Sequence, residues 1–386
     1  MNDSAGVVSA GSIAAHTETR IISGLIGNAL QRGNSFCLWK TPALDEKYLL
    51  ITREIVLENE ISLENAAPGF AFAPFDPSAQ KIIFPAETLY RFENGELVEG
   101  KLPNAEINPA TQKDYHFKAT GQTLPVNYEE LVNQSISQIA SGAFEKVVPS
   151  RFEDSAYDKT VDLVAMFERL CEKHPQAFVS FISSPQTGTW MGATPELLVR
   201  VSRNRFKTIA LAGTLPYSPD TNLKTVAWTQ KEIEEQALVS RYIISCFKKI
   251  RLREYEEHGP KTIVAGNVLH LKTEFEVDMQ ATNFPQLGSV MLKLLHPTSA
   301  VCGMPLESAL EFLQNHEGYP REFYSGYLGP LNIRNQSQLY VNLRCMQFFA
   351  NQVRFYAGAG VTIDSVPGDE WNETEIKMHN LKKLFY

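Results

Sequence analysis

Carboxylates recur at one spacing in two places along this chain. Glu232 and Glu235 stand three residues apart within residues 231–244, and Glu370 and Glu373 repeat the interval near the C-terminus, with Lys377 one turn beyond. Three residues is close to one helical turn, so each pair lies on one face of its helix. After the first pair come Leu238, Val239 and Tyr242, an apolar set that turns part of that helix inward and can leave its acids at a cavity edge. Two helices offering only oxygen ligands select a hard cation, and no histidine follows Glu235 or Glu373 by three residues to suggest a di-iron centre. Mg2+ is the ion expected, bound through a few protein oxygens and keeping several waters. A solvated helix face carries the same pattern, so the pairs gain meaning only from what surrounds them.

The second acidic segment follows a glycine-rich run, Gly358-Ala-Gly360. Backbone without a Cβ can approach a ligand closely there and aim N–H groups at a carboxylate. Earlier in the chain, Lys146 leads a β-branched pair, Val147-Val148, at a strand edge. Desolvation of a buried lysine favours its neutral form and makes it usable as a base. Glu196 sits behind a Thr-Pro turn and ahead of Leu197-Leu198, and Ala212-Gly-Thr214 ends a strand with a small-residue turn that could admit a ligand. His270 alternates with Leu269 and Leu271 and reads as a hydrogen-bonded strand histidine. Arg344 reads as a strand residue between Leu343 and Cys345 but on the opposite face, and an arginine so embedded needs an anionic partner.

Positioning these groups takes a large scaffold, and 386 residues at 44% hydrophobic and 21% charged supply an ample core, as one large domain or two intimately packed halves. Helical spacing marks residues 128–140 and 162–173, while 177–182, 206–211, 262–265 and 338–345 read as strands. Strands outnumber helices without alternating with them, which predicts an α+β fold with antiparallel sheets rather than a doubly wound parallel one. A polar, proline-marked stretch near 100–126 separates a strand-rich N-terminal third from the remainder, and every candidate catalytic residue follows it. Residues 1–18 read as loose and 19–386 as one domain, of which 126–386 carries the motifs and 19–125 does not. A formal net charge of −8 without basic blocks argues against nucleic acid and anionic membrane surfaces as partners. Five widely spaced cysteines without a C-x-x-C indicate neither a disulfide framework nor a zinc site. With no run of 18 apolar residues and no basic leader segment, the expectation is a soluble, cytoplasmic protein.

Taken in order, Lys146-Val-Val148, Gly192-Ala-Thr-Pro-Glu-Leu-Leu198, Ala212-Gly-Thr214, Glu235, His296-Pro-Thr298, Arg344, Gly358-Ala-Gly360 and Glu370-x-x-Glu373-Thr-x-x-Lys377 resemble the chorismate-utilising enzymes over roughly residues 125–386. That family includes anthranilate synthase component I, aminodeoxychorismate synthase component I, isochorismate synthase and salicylate synthase. The resemblance implies antiparallel sheets packed face to face, helices outside, two intertwined halves and a magnesium-dependent site between them. Within the family the chain is most similar to isochorismate synthases. Ala212 stands where aminodeoxychorismate synthases carry a nucleophilic lysine, and Lys146 stands where anthranilate synthases carry glutamine. A lysine suits water as the nucleophile, because water needs a general base.

The reaction so implied is the Mg2+-dependent isomerisation of chorismate to isochorismate, by water addition at C2 and loss of the C4 hydroxyl. In it Lys146 would be the base and Glu196 the acid. Glu235 and Glu373 would bind the metal, with Glu232 and Glu370 acting through water or as an outer layer. Arg344, the Gly358 amide and Lys377 would grip substrate carboxylates, while Thr214, Ala300 and His270 would line the pocket. The alternatives are a salicylate synthase, which goes on to eliminate pyruvate, and a catalytically silent chorismate-binding protein. A monomer without a glutaminase subunit is expected, and the product's destination, menaquinone, a siderophore or salicylate, stays open. Two departures from the family pattern bear on geometry. Pro149 removes a backbone donor three residues after the proposed base and suggests a sheet edge, and Gln236-Ala237 replaces more polar residues beside Glu235.

Overall fold

In the computed structural model, residues 10–103, 109–119, 127–158, 160–218, 220–223, 225–265 and 268–385 are described, so the polar connection near 100–126 lies partly outside the described residues. Two nine-stranded antiparallel sheets dominate, as the excess of strands predicts. The first has at its centre the strands Ser35–Lys40, Phe178–Ser184, Gly188–Thr194 and Cys345–Phe348, and the second Arg205–Pro216, Leu197–Ser202, Gln336–Val341 and Tyr327–Leu331. The N-terminal third feeds both sheets. Ser35–Lys40 pairs with Phe178–Ser184, and Gly69–Ala73 pairs with Tyr327–Leu331.

Side-chain alternation along the strands builds the layers. Every residue of Phe178–Ser184 is buried, yet Phe178 and Ile182 enter an aromatic core between the sheets while Val179 and Phe181 face helices. In Gly69–Ala73 the large Phe70 and Phe72 point between the sheets and the small Ala71 and Ala73 point outward. Across the interlayer the Phe178 and Tyr340 rings stack with centroids 4.2 Å apart. Each such ring contributes about 2–3 kcal/mol by burial. Helices Ala10–Gln31, Leu163–Lys173 and Pro367–Lys382 cover the first sheet, and Tyr128–Ala140, Gln230–Lys249, Leu287–Leu295 and Leu306–His316 cover the second. The order is therefore helix, sheet, sheet, helix.

Two places where the chain passes from one sheet to the other matter most for function. Pro195 and Glu196 join Gly188–Thr194 of the first sheet to Leu197–Ser202 of the second, and residues 342–344 return from Gln336–Val341 to Cys345–Phe348. These crossovers lie side by side: the Val341 amide donates to the Glu196 carbonyl at 2.9 Å, and the Ala193 amide to the Arg344 carbonyl at 3.0 Å. The single strand expected over 338–345 is therefore two strands in different sheets. Arg344 is not a strand residue but takes a left-handed conformation, φ 49°, where the chain changes layers. The segment to residue 18, expected to be loose, is helical from Ala10, and the Glu18 carboxylate is buried against Lys47 at 2.8 Å. Pro149 precedes the strand Ser150–Ala156, which forms the edge of the first sheet as the proline suggests.

Candidate active site

A cavity of about 570 Å³ opens beside the two crossovers, within the size range of small-molecule sites. Each wall comes from a different element. Lys146 projects from a two-residue strand, Lys146–Val147, paired with Gly303–Met304, and the crossovers supply Glu196 and Arg344. The helix Gln230–Lys249 supplies Glu235. It begins with Thr229 and Glu232 in a reciprocal cap, and buries Gln236, Val239, Tyr242, Ile243, Cys246 and Phe247 along one stripe, which leaves Glu235 at the cavity edge. The C-terminal helix supplies Glu373 and Lys377. Pro367 opens it, and Glu370, Thr374, Met378 and Leu381 form its buried face.

Two lysine–glutamate pairs organise the floor. Lys146 Nζ lies 3.2 Å from Glu235 Oε1, and the Gly213 amide donates to Glu235 Oε2 at 3.3 Å. Lys377 Nζ contacts Glu373 Oε1 at 2.6 Å and donates to the Gly358 carbonyl at 2.7 Å. Burial alone would raise the Glu235 carboxyl, but Lys146 and Lys377 more than offset it and hold the group below its ordinary pKa. Glu373 behaves likewise under Lys377, against an opposing push from Glu235. Glu196 goes the other way. Desolvation carries its pKa up to about 7, outweighing the pull of Lys146, Lys377 and Arg344. One carboxyl is thus held near neutrality within reach of the field of the lysine that could act as its acid–base counterpart.

Of the residues singled out in the sequence, Lys146, Glu196, Thr214, Glu232, Glu235, His270, Ala300, Arg344, Gly358, Glu373 and Lys377 line this cavity. Glu370 does not. It is buried beneath, 2% exposed, with Lys231 Nζ 3.9 Å from its Oε1. Glu232 turns its Oε2 to the Thr229 amide at 3.1 Å, so its carboxylate serves the helix start as well as facing the cavity. His270 Nδ1 lies 2.8 Å from the Gly213 carbonyl. A carbonyl can only accept, so Nδ1 carries the proton, and burial, opposed by that bond, holds the imidazole neutral with a pKa of about 4. Gln236, beside Glu235, is buried and donates to Thr273 Oγ1 at 3.0 Å rather than facing the cavity.

Sequence reading missed the supports. Arg321, 4% exposed, donates to the Val148 carbonyl at 2.7 Å and to the Val301 carbonyl at 2.8 Å, and is paired with Glu317 at 2.6 Å. Glu317 also accepts from the Ser150 amide at 2.6 Å. This buried pair ties the segment after Lys146 to the loop after Ala300. Its only sequence signal is an i, i+4 acid–base pair that looks like any solvated one. Gly213, which donates to Glu235, has φ +70° at a strand irregularity between Ala212 and Thr214, where glycine carries no Cβ penalty.

The donor set fits a hard divalent cation. Glu235 and Glu373 reach the same cavity from two helices, and the buried Glu370 Oε1 behind them has no hydrogen-bond partner. Among the described residues no cluster of three or more ligating acids, histidines or cysteines forms. Two protein carboxylates are what an ion that keeps its waters and shares ligand oxygens requires.

Known proteins are similar to this chain in sequence, and solved structures are similar to it in fold. Isochorismate synthase EntC of Escherichia coli K12 is 28% identical over 319 residues, covering 81% of this chain and 79% of that protein. Isochorismate synthase DhbC of Bacillus subtilis is 27% identical over 321 residues, covering 80% and 78%. The structure of MenF, the menaquinone-specific isochorismate synthase from Escherichia coli, superposes with a TM-score of 0.74 at 22% identity over 99% of this chain and 92% of that one, which shows the shared fold. The family model described as chorismate binding enzyme matches residues 91–385, from before the polar connection to the end of the C-terminal helix, and on that match the chain belongs to the chorismate-binding enzymes.

Proposed function

We propose that this protein is an isochorismate synthase, converting chorismate to isochorismate with magnesium as cofactor. The observation that carries the reading is that Lys146 and Glu196, the latter with its pKa raised to about 7, line one cavity, in a chain of this family whose curated relatives EntC and DhbC are named isochorismate synthases. In its amine form Lys146 takes a proton from the water whose oxygen bonds to C2. Glu196 delivers its proton to the C4 hydroxyl, which leaves as water while the ring double bonds shift. One water is consumed and one released, so the net change is an isomerisation.

Arg344 and Lys377, both on the cavity wall, meet the substrate carboxylates, and charge-assisted bonds of this kind fix orientation as well as affinity. Ala212 lines the wall before Gly213 and offers no amine, so no covalent attachment competes with water at that position. Glu235 and Glu373 would hold the Mg2+. When bound, the ion would neutralise charge on a substrate carboxylate amid these acids. The names of relatives include a vibriobactin-specific and a menaquinone-linked isochorismate synthase, and the pathway this product enters follows from neither. Incubation with chorismate and Mg2+ followed by chromatography tests the reading. Isochorismate is the expected product, and unconsumed chorismate would overturn it.

A further inference from the structure

A second cavity, about 650 Å³, adjoins the first and shares Pro195, His270, Arg344 and Lys377 with it. Its outer rim is formed by the end of the helix Leu163–Lys173 and the end of the C-terminal helix, which bring Lys173 and Lys383 to the surface. The two cavities have opposite charge. The second carries Lys173, Arg344, Lys377 and Lys383 against one acid, Glu172, whereas the first carries seven carboxylates against four cations. The acids of the first cavity that lie away from the shared wall include Glu145, Glu234 and Asp364. A dianion approaching that mouth meets like charge, and one approaching the second cavity meets opposite charge that leads inward to Arg344 and Lys377. His174, half-buried on the same wall, reports the field there: burial lowers its pKa first, and Arg344 and Lys173 lower it further.

We propose that the second cavity is the entry vestibule for the dianionic substrate, which passes Lys173 and Lys383 before reaching Arg344 and Lys377, while the acidic mouth on the other side admits the divalent cation. The identity of the dianion rests on the proposed chorismate chemistry, but the direction of approach rests on the charges. Converging charge of one sign raises association rates by about 10- to 1,000-fold at low ionic strength, and salt screens the effect over about 10 Å. Lys173 and Lys383 are exposed and belong to neither the acid–base pair nor the metal-binding pair, so replacing them leaves the reacting groups in place.

The test compares wild type, Lys173→Glu/Lys383→Glu and Glu234→Lys/Asp364→Lys. Stopped-flow fluorescence gives the association rate of chorismate, and steady-state turnover gives kcat and kcat/KM, each at low and high salt. The vestibule variant is expected to slow association and lower kcat/KM by about tenfold at low salt with kcat retained, the loss shrinking as salt rises, while the mouth variant changes association by less than about twofold. Association that is unchanged in the vestibule variant and accelerated in the mouth variant would overturn the route while wild-type turnover upholds the function. A wild type that binds but does not convert chorismate, with association still slowed only by the vestibule substitutions, would uphold the route and overturn the function. A wild type that neither binds nor converts chorismate would overturn both.

Discussion

Gly360→Ala isolates the placement of Lys146 from the stability of the fold. A Cβ at Gly360 would stand 2.9 Å from Lys146 Cε, 3.3 Å from its Nζ and 3.7 Å from Glu235 Oε1. Ordinary contact begins near 3.4 Å, so the end of the lysine must retreat by ~0.5 Å. The backbone at Gly360 does not lie in the left-handed region, and the atoms displaced are the flexible tip of one side chain, so stability should hold within about 1 kcal/mol. Catalysis is less forgiving. A misplacement of about 1 Å can cost about 10²-fold, and half of it corresponds to about tenfold in kcat. Gly358→Ala supplies the contrast, because its Cβ would stand 2.8 Å from the Pro149 carbonyl oxygen, a backbone atom that cannot swing away. Chorismate turnover and thermal unfolding of both variants should therefore dissociate: Gly360→Ala loses rate and keeps its melting temperature, and Gly358→Ala loses melting temperature. A Gly360→Ala enzyme within about twofold of wild-type kcat would refute the role given to Lys146.

Lys146→Ala should lower turnover by about 10²- to 10⁴-fold with chorismate binding largely retained, which calorimetry on the variant would check. The protonation of Glu196 sets a pH limit: its pKa of about 7 means the proton-donating form prevails below that value, so in Lys146→Ala, whose residual rate no longer depends on the lysine amine, kcat/KM should fall about tenfold per pH unit above it, and a profile flat through neutrality in that variant contradicts the assignment. Glu235→Gln and Glu373→Gln should each weaken Mg2+ and chorismate binding together, because an ion shared by protein and ligand couples the two affinities; absence of mutual enhancement in the wild type would remove the ion from the substrate carboxylate.

The fold class was legible because strand signals outnumbered helical ones without alternation, and apolar spacing marked the helices over 128–140 and 162–173, the second of which begins at Leu163 with Asp162 as its cap. The crossover at Arg344 was not. Leu339 to Cys345 is apolar apart from Asn342 and Arg344, and sequence alone gives no sign that Asn342 to Arg344 leave one sheet for another, since a left-handed arginine has no compositional mark. Glu196 was easier, because the preceding proline flags a break. The roles of Glu370 and Glu232 diverged for a similar reason: two residues at identical spacing from a cavity-facing glutamate differ in depth only once the helices are packed, one beneath Glu373 and one at its helix start. Long-range supports such as Arg321, 173 residues from Val148, could not be read at all.

As proposed, Lys146 and Glu196 exchange roles as base and acid between the forward and reverse directions on one substrate. Purified enzyme with Mg2+ should therefore bring chorismate and isochorismate to the same mixture from either side, with no pyruvate detected by a coupled assay, and Glu196→Gln should abolish conversion in both directions because an amide cannot donate and recover that proton. Pyruvate released in proportion to chorismate consumed, draining the mixture irreversibly, would contradict it.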